Sequence, residues 1–284
     1  MNLRLLRRRY TSHFMSALCV LAVLVSLVPL GFILFFVLSQ GIASLNWDFF
    51  TQTPKPVGEL GGGMSNAIIG TLIVCGLGGL LAIPTGMLAG IYVAQHAGST
   101  SANSVRFAAD VLNGIPSIVI GVFVYAIAVS SFKPFTALAG GIALGVMMIP
   151  LIARTTEEMV LLVPGTLLEG ALALGATRAR AMFNVVLPTA MPGIVTGAVL
   201  ALARIAGETA PLIFTAFNNK FWSTSLTQPI STLPVQIYNY ASAPYDDWHR
   251  QAWAGALVLI MLVLSCSILA RFATRRLERM QRGL

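Results

Sequence analysis

The chain has 284 residues, 56% of them hydrophobic and only 10% charged, with a mean hydropathy of +0.81 and a net charge of +8. Soluble domains carry about 25% charged residues, so a water-facing surface has too few charges to cover it here, and a bilayer takes the place of water. The segments of about ten residues with alternating polarity that mark a membrane barrel are missing, and the cations flank apolar runs at the termini and in loops, which reads as membrane topology rather than nucleic-acid binding.

In chain order, Arg4, Arg7, Arg8 and Arg9 precede an apolar stretch over 14–39. It is too long for the apolar region of a signal peptide and long enough to span. Leu18 before Cys19 also spoils a lipoprotein cleavage site. An outer loop over 40–65 follows, with Trp47, Phe49, Phe50 and a flexible run Gly61-Gly62-Gly63. Further spans are predicted over 66–94, 112–131, 136–153, 190–217 and 252–272, giving an all-α polytopic membrane protein with six transmembrane helices. Asp110 reads as support for the start of the third span. Asn113 and Ser117 flank Pro116 and are candidates for helix caps or for the lining of a cavity. A last outer loop, 218–251, holds Phe221, Trp222, Tyr238, Tyr240, Tyr245 and Trp248. Aromatics in both outer loops read as a belt at headgroup level or as a surface for an external partner. Cys19, Cys75 and Cys266 lie in apolar runs and read as packing residues. His13, His96 and His249 form no metal-ligand pattern.

Orientation follows from the cations. With both termini in the cytoplasm, Arg4, Arg7, Arg8, Arg9, Arg106, Arg154, Arg178, Arg180, Arg271, Arg275, Arg276, Arg279 and Arg282 face inward. Only Lys55, Lys133, Lys220 and Arg250 face outward. That is a positive-inside bias, and an even number of spans agrees with it.

Two polar features stand out against this background. The first is the inner stretch TLLEGALALGATRARAMFNVVLP from Thr166 to Pro188. Thr166 and Glu169 have the spacing of a capping box, and Gly175 interrupts. The expectation is a short helix, a glycine turn and a second short helix projecting from the membrane. The second is Arg204 with Glu208 within the fifth span. Charges at that depth cost about 2.5–3.5 kcal/mol each on insertion scales. A spacing of four places them on one helix face, with Pro211 kinking the helix just beyond. On physical grounds two readings stay open. One is an ion pair that locks packing. The other is an arginine that meets an anion on a path, steadied by the glutamate.

The inner stretch resembles the signature loop of ABC importer permeases. Glu169, Gly170, Ala171, Gly175, Val185, Leu187 and Pro188 hold its positions. Gly170 and Val185 depart from the alanine and isoleucine of the family form. Three further segments, Gly63–Leu72, Asn113–Gly121 and Ala203–Leu212, resemble the phosphate-specific permeases of that class, and the likeness covers most of residues 60–275. The resemblance implies a type I importer permease fold. Residues 1–60 would hold a tail, the first span and an outer loop. Residues 61–275 would form the transmembrane domain, with its coupling loop at 164–188, and 276–284 a cytoplasmic tail. It implies that Glu169, Gly170, Ala171 and Gly175 belong to a coupling helix gripped by a separate ATPase, and that Arg204 and Glu208 take part in phosphate movement. The implied partners are a homologous second permease subunit, two ATP-binding subunits that use ATP and Mg, and a periplasmic phosphate-binding protein, in a bacterial inner membrane.

The chain has no P-loop pattern of its own, so it is read as a non-catalytic subunit. Rival readings are an importer permease for another anion or small solute, a proton-coupled secondary transporter using Glu208, and an intramembrane enzyme. The last lacks any nucleophile or metal motif in its support.

Overall fold

The computed structural model of the chain describes residues 3–59, 61–130 and 135–282. In chain order the helices are α1 (Leu3–Ser44), α2 (Trp47–Thr51), α3 (Ser65–Gln95), α4 (Thr100–Gly114) and α5 (Ser117–Val124, continued in wider turns over Tyr125–Val129). They continue with α6 (Ala137–Leu161), α7 (Gly165–Ala173), α8 (Arg178–Ile205), α9 (Ala210–Thr215), α10 (Leu233–Ala241) and α11 (Asp246–Arg282). Five helices, α1, α3, α6, α8 and α11, are long and apolar enough to cross a membrane. The pair α4 and α5, bent by 102°, makes a sixth element if counted as one span. The chain is a multi-pass, almost wholly helical membrane protein. Lys133, one of the outer cations, lies outside the described residues, as do the side chains of Arg4, Arg275, Arg276, Arg279 and Arg282.

Helices in lipid associate where small side chains let backbones approach, and the centre of the molecule is built that way. Gly78 of α3 lies against Leu144 and Gly145 of α6, Gly86 against Ile152, and Gly90 against Ala153 and Thr156. On the other face of α6, Thr155 and Met159 fill the space left by Gly197 and Gly193 of α8. Val74, Ala82, Leu144, Met148, Ile152, Ala201 and Ile205 form the shared core. By contrast α1 is exposed along most of its length, and it meets α11 where Gly41 abuts Leu257 and Trp253.

At the opposite end from α7, the two segments predicted as outer loops fold into a cap. Phe49, Met64, Leu233, Tyr240 and Ala254 share one apolar cluster. The glycine run is a packed turn rather than a flexible one. Gly62 is buried at φ +85°, the Gly63 N–H donates to Thr53 O at 3.2 Å, and the Met64 N–H donates to Phe49 O at 2.9 Å. Asn66 and Thr71 of α3 hold the second segment. Asn66 Nδ2 donates to Asn219 O at 2.7 Å, and Thr71 Oγ1 accepts from the Leu233 N–H at 2.8 Å. The aromatics therefore divide. Phe49 and Tyr240 are core residues, and Tyr240 stacks on Trp248 at 4.5 Å. Burial pushes the Tyr240 phenol up to about 12; the Gln236 hydrogen bond works against the rise and Asp247 adds to it, so the stack stays uncharged at any working pH. Trp47, Phe221, Trp222 and Tyr238 remain exposed, as a belt or a docking surface requires.

Three predicted spans are corrected. The third is no straight helix over 112–131. Ile115 is extended before Pro116, as a residue preceding proline prefers, and the chain turns there. Asp110 lies inside α4, whose start is capped by Ser99, whose hydroxyl accepts from the Ala102 N–H at 3.2 Å. Neither Asn113 nor Ser117 caps a helix: Ile115 and Pro116 take the cap positions. The fourth span runs on to Leu161 because Arg154, Glu157 and Glu158 pair with one another and with Arg106 instead of ending it. The fifth begins at Arg178 and stops at Ile205. Of the cysteines, Cys75 packs beside the core, whereas Cys19 and Cys266 are exposed.

Candidate functional site

The break between α8 and α9 carries Arg204 and Glu208. Leu202 packs on Gly79, the fifteenth of the 31 residues of α3, so α8 ends about halfway along its neighbour. The last turn of α8 tightens, with the Glu208 N–H donating to Ile205 O at 3.0 Å. Pro211 then stands in the first turn of α9, where its missing donor is no loss. Proline here starts a new helix; the interruption lies upstream, over Ala206–Thr209. The one-face ion pair expected from i, i+4 spacing therefore does not form, since Arg204 is helical and Glu208 lies in the break. Among the described residues no ion pair joins them. Arg204 is exposed and Glu208 half-buried. An arginine in the final turn of a helix also complements that helix's partial negative end.

Two of the segments singled out in the sequence meet at this break. Gly121 of α5 lies so close to Pro211 of α9 that an added Cβ would stand 2.6 Å from Pro211 Cα. Beyond α9, Phe217 takes a left-handed φ of 61° and the chain turns back. The Thr136 N–H donates to Thr215 O at 3.0 Å and the Ile230 N–H to Ala216 O at 3.2 Å, which ties α9 to the start of α6 and to the cap. Asn113 is exposed and Ser117 half-buried at the turn before α5.

At the other end, α7 projects between α6 and α8. Pro164 is its cap residue and no side chain caps it, so Thr166 is an internal residue and the expected capping box does not form. The turn after α7 follows the glycine rule: Gly175 has φ +84°, its N–H donates to Leu172 O at 2.9 Å, and the Ala176 N–H donates to Ala171 O at 3.1 Å. The hydroxyl cap in this stretch is Thr177, which accepts from the Arg180 N–H at 3.3 Å. Its signal was readable as a threonine directly after a Gly-Ala turn. The second helix is not short, because it is the beginning of α8. Glu169, Gly170 and Gly175 are exposed, Ala171 is half-buried, and Leu174 at the tip is 92% exposed. Nothing lies within 4 Å of a Cβ built on Gly170. Any demand for a small residue there comes from outside this chain.

In the sequence Arg106 and Arg154 stand only as topology markers, and Glu157 has no assigned role. In the fold they converge, with Arg106 Nε donating to Glu157 Oε1 at 2.7 Å and Arg154 Nη1 lying 3.6 Å from Glu157 Oε2. The i, i+3, i+4 spacing of Arg154, Glu157 and Glu158 was the available signal.

Residues 86–283 match the model of a family described as binding-protein-dependent transport system inner membrane component. The phosphate transport system permease protein PstA of Haemophilus influenzae is 43% identical over 272 residues, covering 95% of this chain and 96% of that one. A probable phosphate transport system permease protein PstA of Methanocaldococcus jannaschii is 32% identical, with 96% of each chain covered. Among solved structures, a chain of a bacterial alginate ABC transporter in complex with its alginate-bound periplasmic protein superposes with a TM-score of 0.65 at 15% identity, covering 96% of this chain and 98% of that one. A chain of the MetNI methionine ABC transporter, in an inward-facing conformation, gives 0.61 at 21% identity, covering 74% and 94%. At those identities the likeness is one of fold.

Proposed function

This chain belongs to the family of binding-protein-dependent transport system inner membrane components, and on that premise we propose that it is the permease subunit of an ATP-driven importer of inorganic phosphate. The observation that carries the reading is the interrupted fifth span. Broken helices at membrane depth are tolerated where they line a path rather than face lipid, and this one presents an exposed arginine. A guanidinium stays charged at any working pH and its planar fork matches phosphate oxygens. Glu208, unpaired with it, lowers the net charge of the station so that the anion can leave. The extensive identity with PstA proteins supports phosphate over other anions.

The chain is a non-catalytic partner in this scheme. Residues 61–275 form the transmembrane domain, and both termini lie in the cytoplasm. A homologous second permease completes the path, and two ATP-binding subunits use ATP and Mg. A periplasmic phosphate-binding protein delivers the cargo. Glu169, Gly170, Ala171 and Gly175 belong to the coupling helix α7, whose exposed Leu174 offers an apolar contact to the ATPase groove. Asn113 and Ser117 sit where α4 turns into α5, and in this scheme they line a cavity. The test is ATP-driven uptake of labelled phosphate by the assembled complex in proteoliposomes, with sulfate and arsenate as competitors. Uptake suppressed by arsenate but not by sulfate is expected; sulfate suppression, or uptake driven by a proton gradient without ATP, defeats the reading.

A further inference from the structure

The ion ladder between α4 and α6 lies level with Gly90 of α3, whereas Leu202, beside the break that carries Arg204, packs on Gly79. Glu157 is buried, with a side chain 6% exposed, near the end of α6. It accepts from Arg106 of α4 at 2.7 Å. Arg106 is steadied by its own helix, Nη1 donating to Asn103 Oδ1 at 3.1 Å. The second oxygen of Glu157 faces Arg154 at 3.6 Å, and Arg154 is held in turn by Glu158 at 3.1 Å. Asp110, one turn beyond Arg106 on α4, borders the same crevice.

Two chains of rigid contact meet at Glu157. Toward the coupling end, α6 runs four residues further to Leu161 and passes through Pro164 into α7. Toward the path, α4 turns through 102° into α5, and Gly121 of α5 is locked against Pro211 of α9, beside Arg204 and Glu208. Apolar packing along α6 sets how closely the helices lie but places no charge that must keep its partner. A buried carboxylate must keep its partner, because losing it leaves a charge uncompensated. Here that penalty is offset in advance: if α4 moves away, Arg154 remains beside Glu157.

We propose that Arg106 and Glu157 are positioning residues for translocation, forming a releasable latch that holds α4 on the coupling end of α6, with Arg154 catching Glu157 when the latch opens. This rests on the permease reading. The latch couples movement of α7 to the break that carries Arg204, and it touches no substrate.

The assembled transporter in proteoliposomes supplies the test, with phosphate uptake and ATP hydrolysis measured on the same vesicles. Arg106→Gln is expected to keep hydrolysis within about twofold of wild type while phosphate moved per ATP falls at least about fivefold. Arg106→Lys, which retains the charge, is expected to restore most of the ratio. A wild-type ratio in Arg106→Gln, a proportional loss of uptake and hydrolysis, or a failure of Arg106→Lys to recover overturns the latch. A second readout needs only nucleotide: spin labels at exposed Ser104 and Leu161 are expected to change separation between nucleotide-free and ATP-bound complexes. A constant separation overturns the latch, whereas a changing separation in a complex that moves no phosphate defeats the permease reading, and with it the latch's role in translocation, while showing that α4 moves on α6.

Discussion

Gly170 and Gly175 are five residues apart and obey different constraints. A Cβ at Gly170 meets open space within this chain, and alanine is a better helix former by about 1 kcal/mol. Gly170→Ala is therefore expected to stabilise α7 slightly and to leave uptake intact. At Gly175, with φ +84°, an L side chain costs about 1–2 kcal/mol. Gly175→Ala is expected to loosen the turn between α7 and α8 and to reduce uptake in proportion to the ATPase it fails to engage. Thermal melts and pull-down of the ATPase subunit check both. Arg204 belongs to a different chemistry. Arg204→Gln removes the charge and the fork, and losing a charge-assisted hydrogen bond of about 1.5–3 kcal/mol predicts a fall in uptake of about ten- to a hundredfold with normal complex assembly. Arg204→Lys keeps only the charge and should fall in between. Undiminished uptake in both variants would falsify a place for Arg204 on the path.

At the scale of elements, close approach decides more than hydrophobicity does. Gly121 and Pro211 meet across α5 and α9 with no room for a methyl group. Overpacking of this kind costs about 1–3 kcal/mol. Gly121→Ala is expected to push α9 from α5, lower the melting temperature and impair uptake together, which separates it from Arg204→Gln, where stability should hold. The break itself was half legible. Gly207 and Pro211 marked an interruption, but a proline two residues into a new helix looks the same in sequence as a proline that kinks an old one. On sequence alone the segment is one helix with Arg204 and Glu208 on one face of it. In the same way Ser99 and Thr177 cap helices that the hydropathy pattern did not start there. Hydropathy locates where lipid begins, and helices continue past that point when their charges find partners.

At the scale of the molecule, the cap and the α7 bracket lie at opposite ends of the helix bundle. With the arginine bias, this predicts that a cysteine at exposed Glu169 is labelled from the cytoplasm and one at exposed Phe221 from the periplasm. Membrane-impermeant thiol reagents on intact cells and inverted vesicles check this, in a background lacking Cys19, Cys75 and Cys266. The reverse pattern would remove the coupling role from α7. The sequence alone determined the class of solvent, the approximate number of spans, the glycine turn after α7 and the residues Glu169, Gly175, Arg204 and Glu208 as points of interest, because transfer energy and local backbone preference act on near neighbours. Only the tertiary structure decided that α4 and α5 meet at 102°, that the outer segments form a packed cap, that Arg204 and Glu208 flank a break, and that Arg106 finds Glu157. Those depend on which residues meet across long stretches of chain, as Arg106 and Glu157 do over 51 positions and Thr71 and Leu233 over 162, and composition carries no record of that pairing.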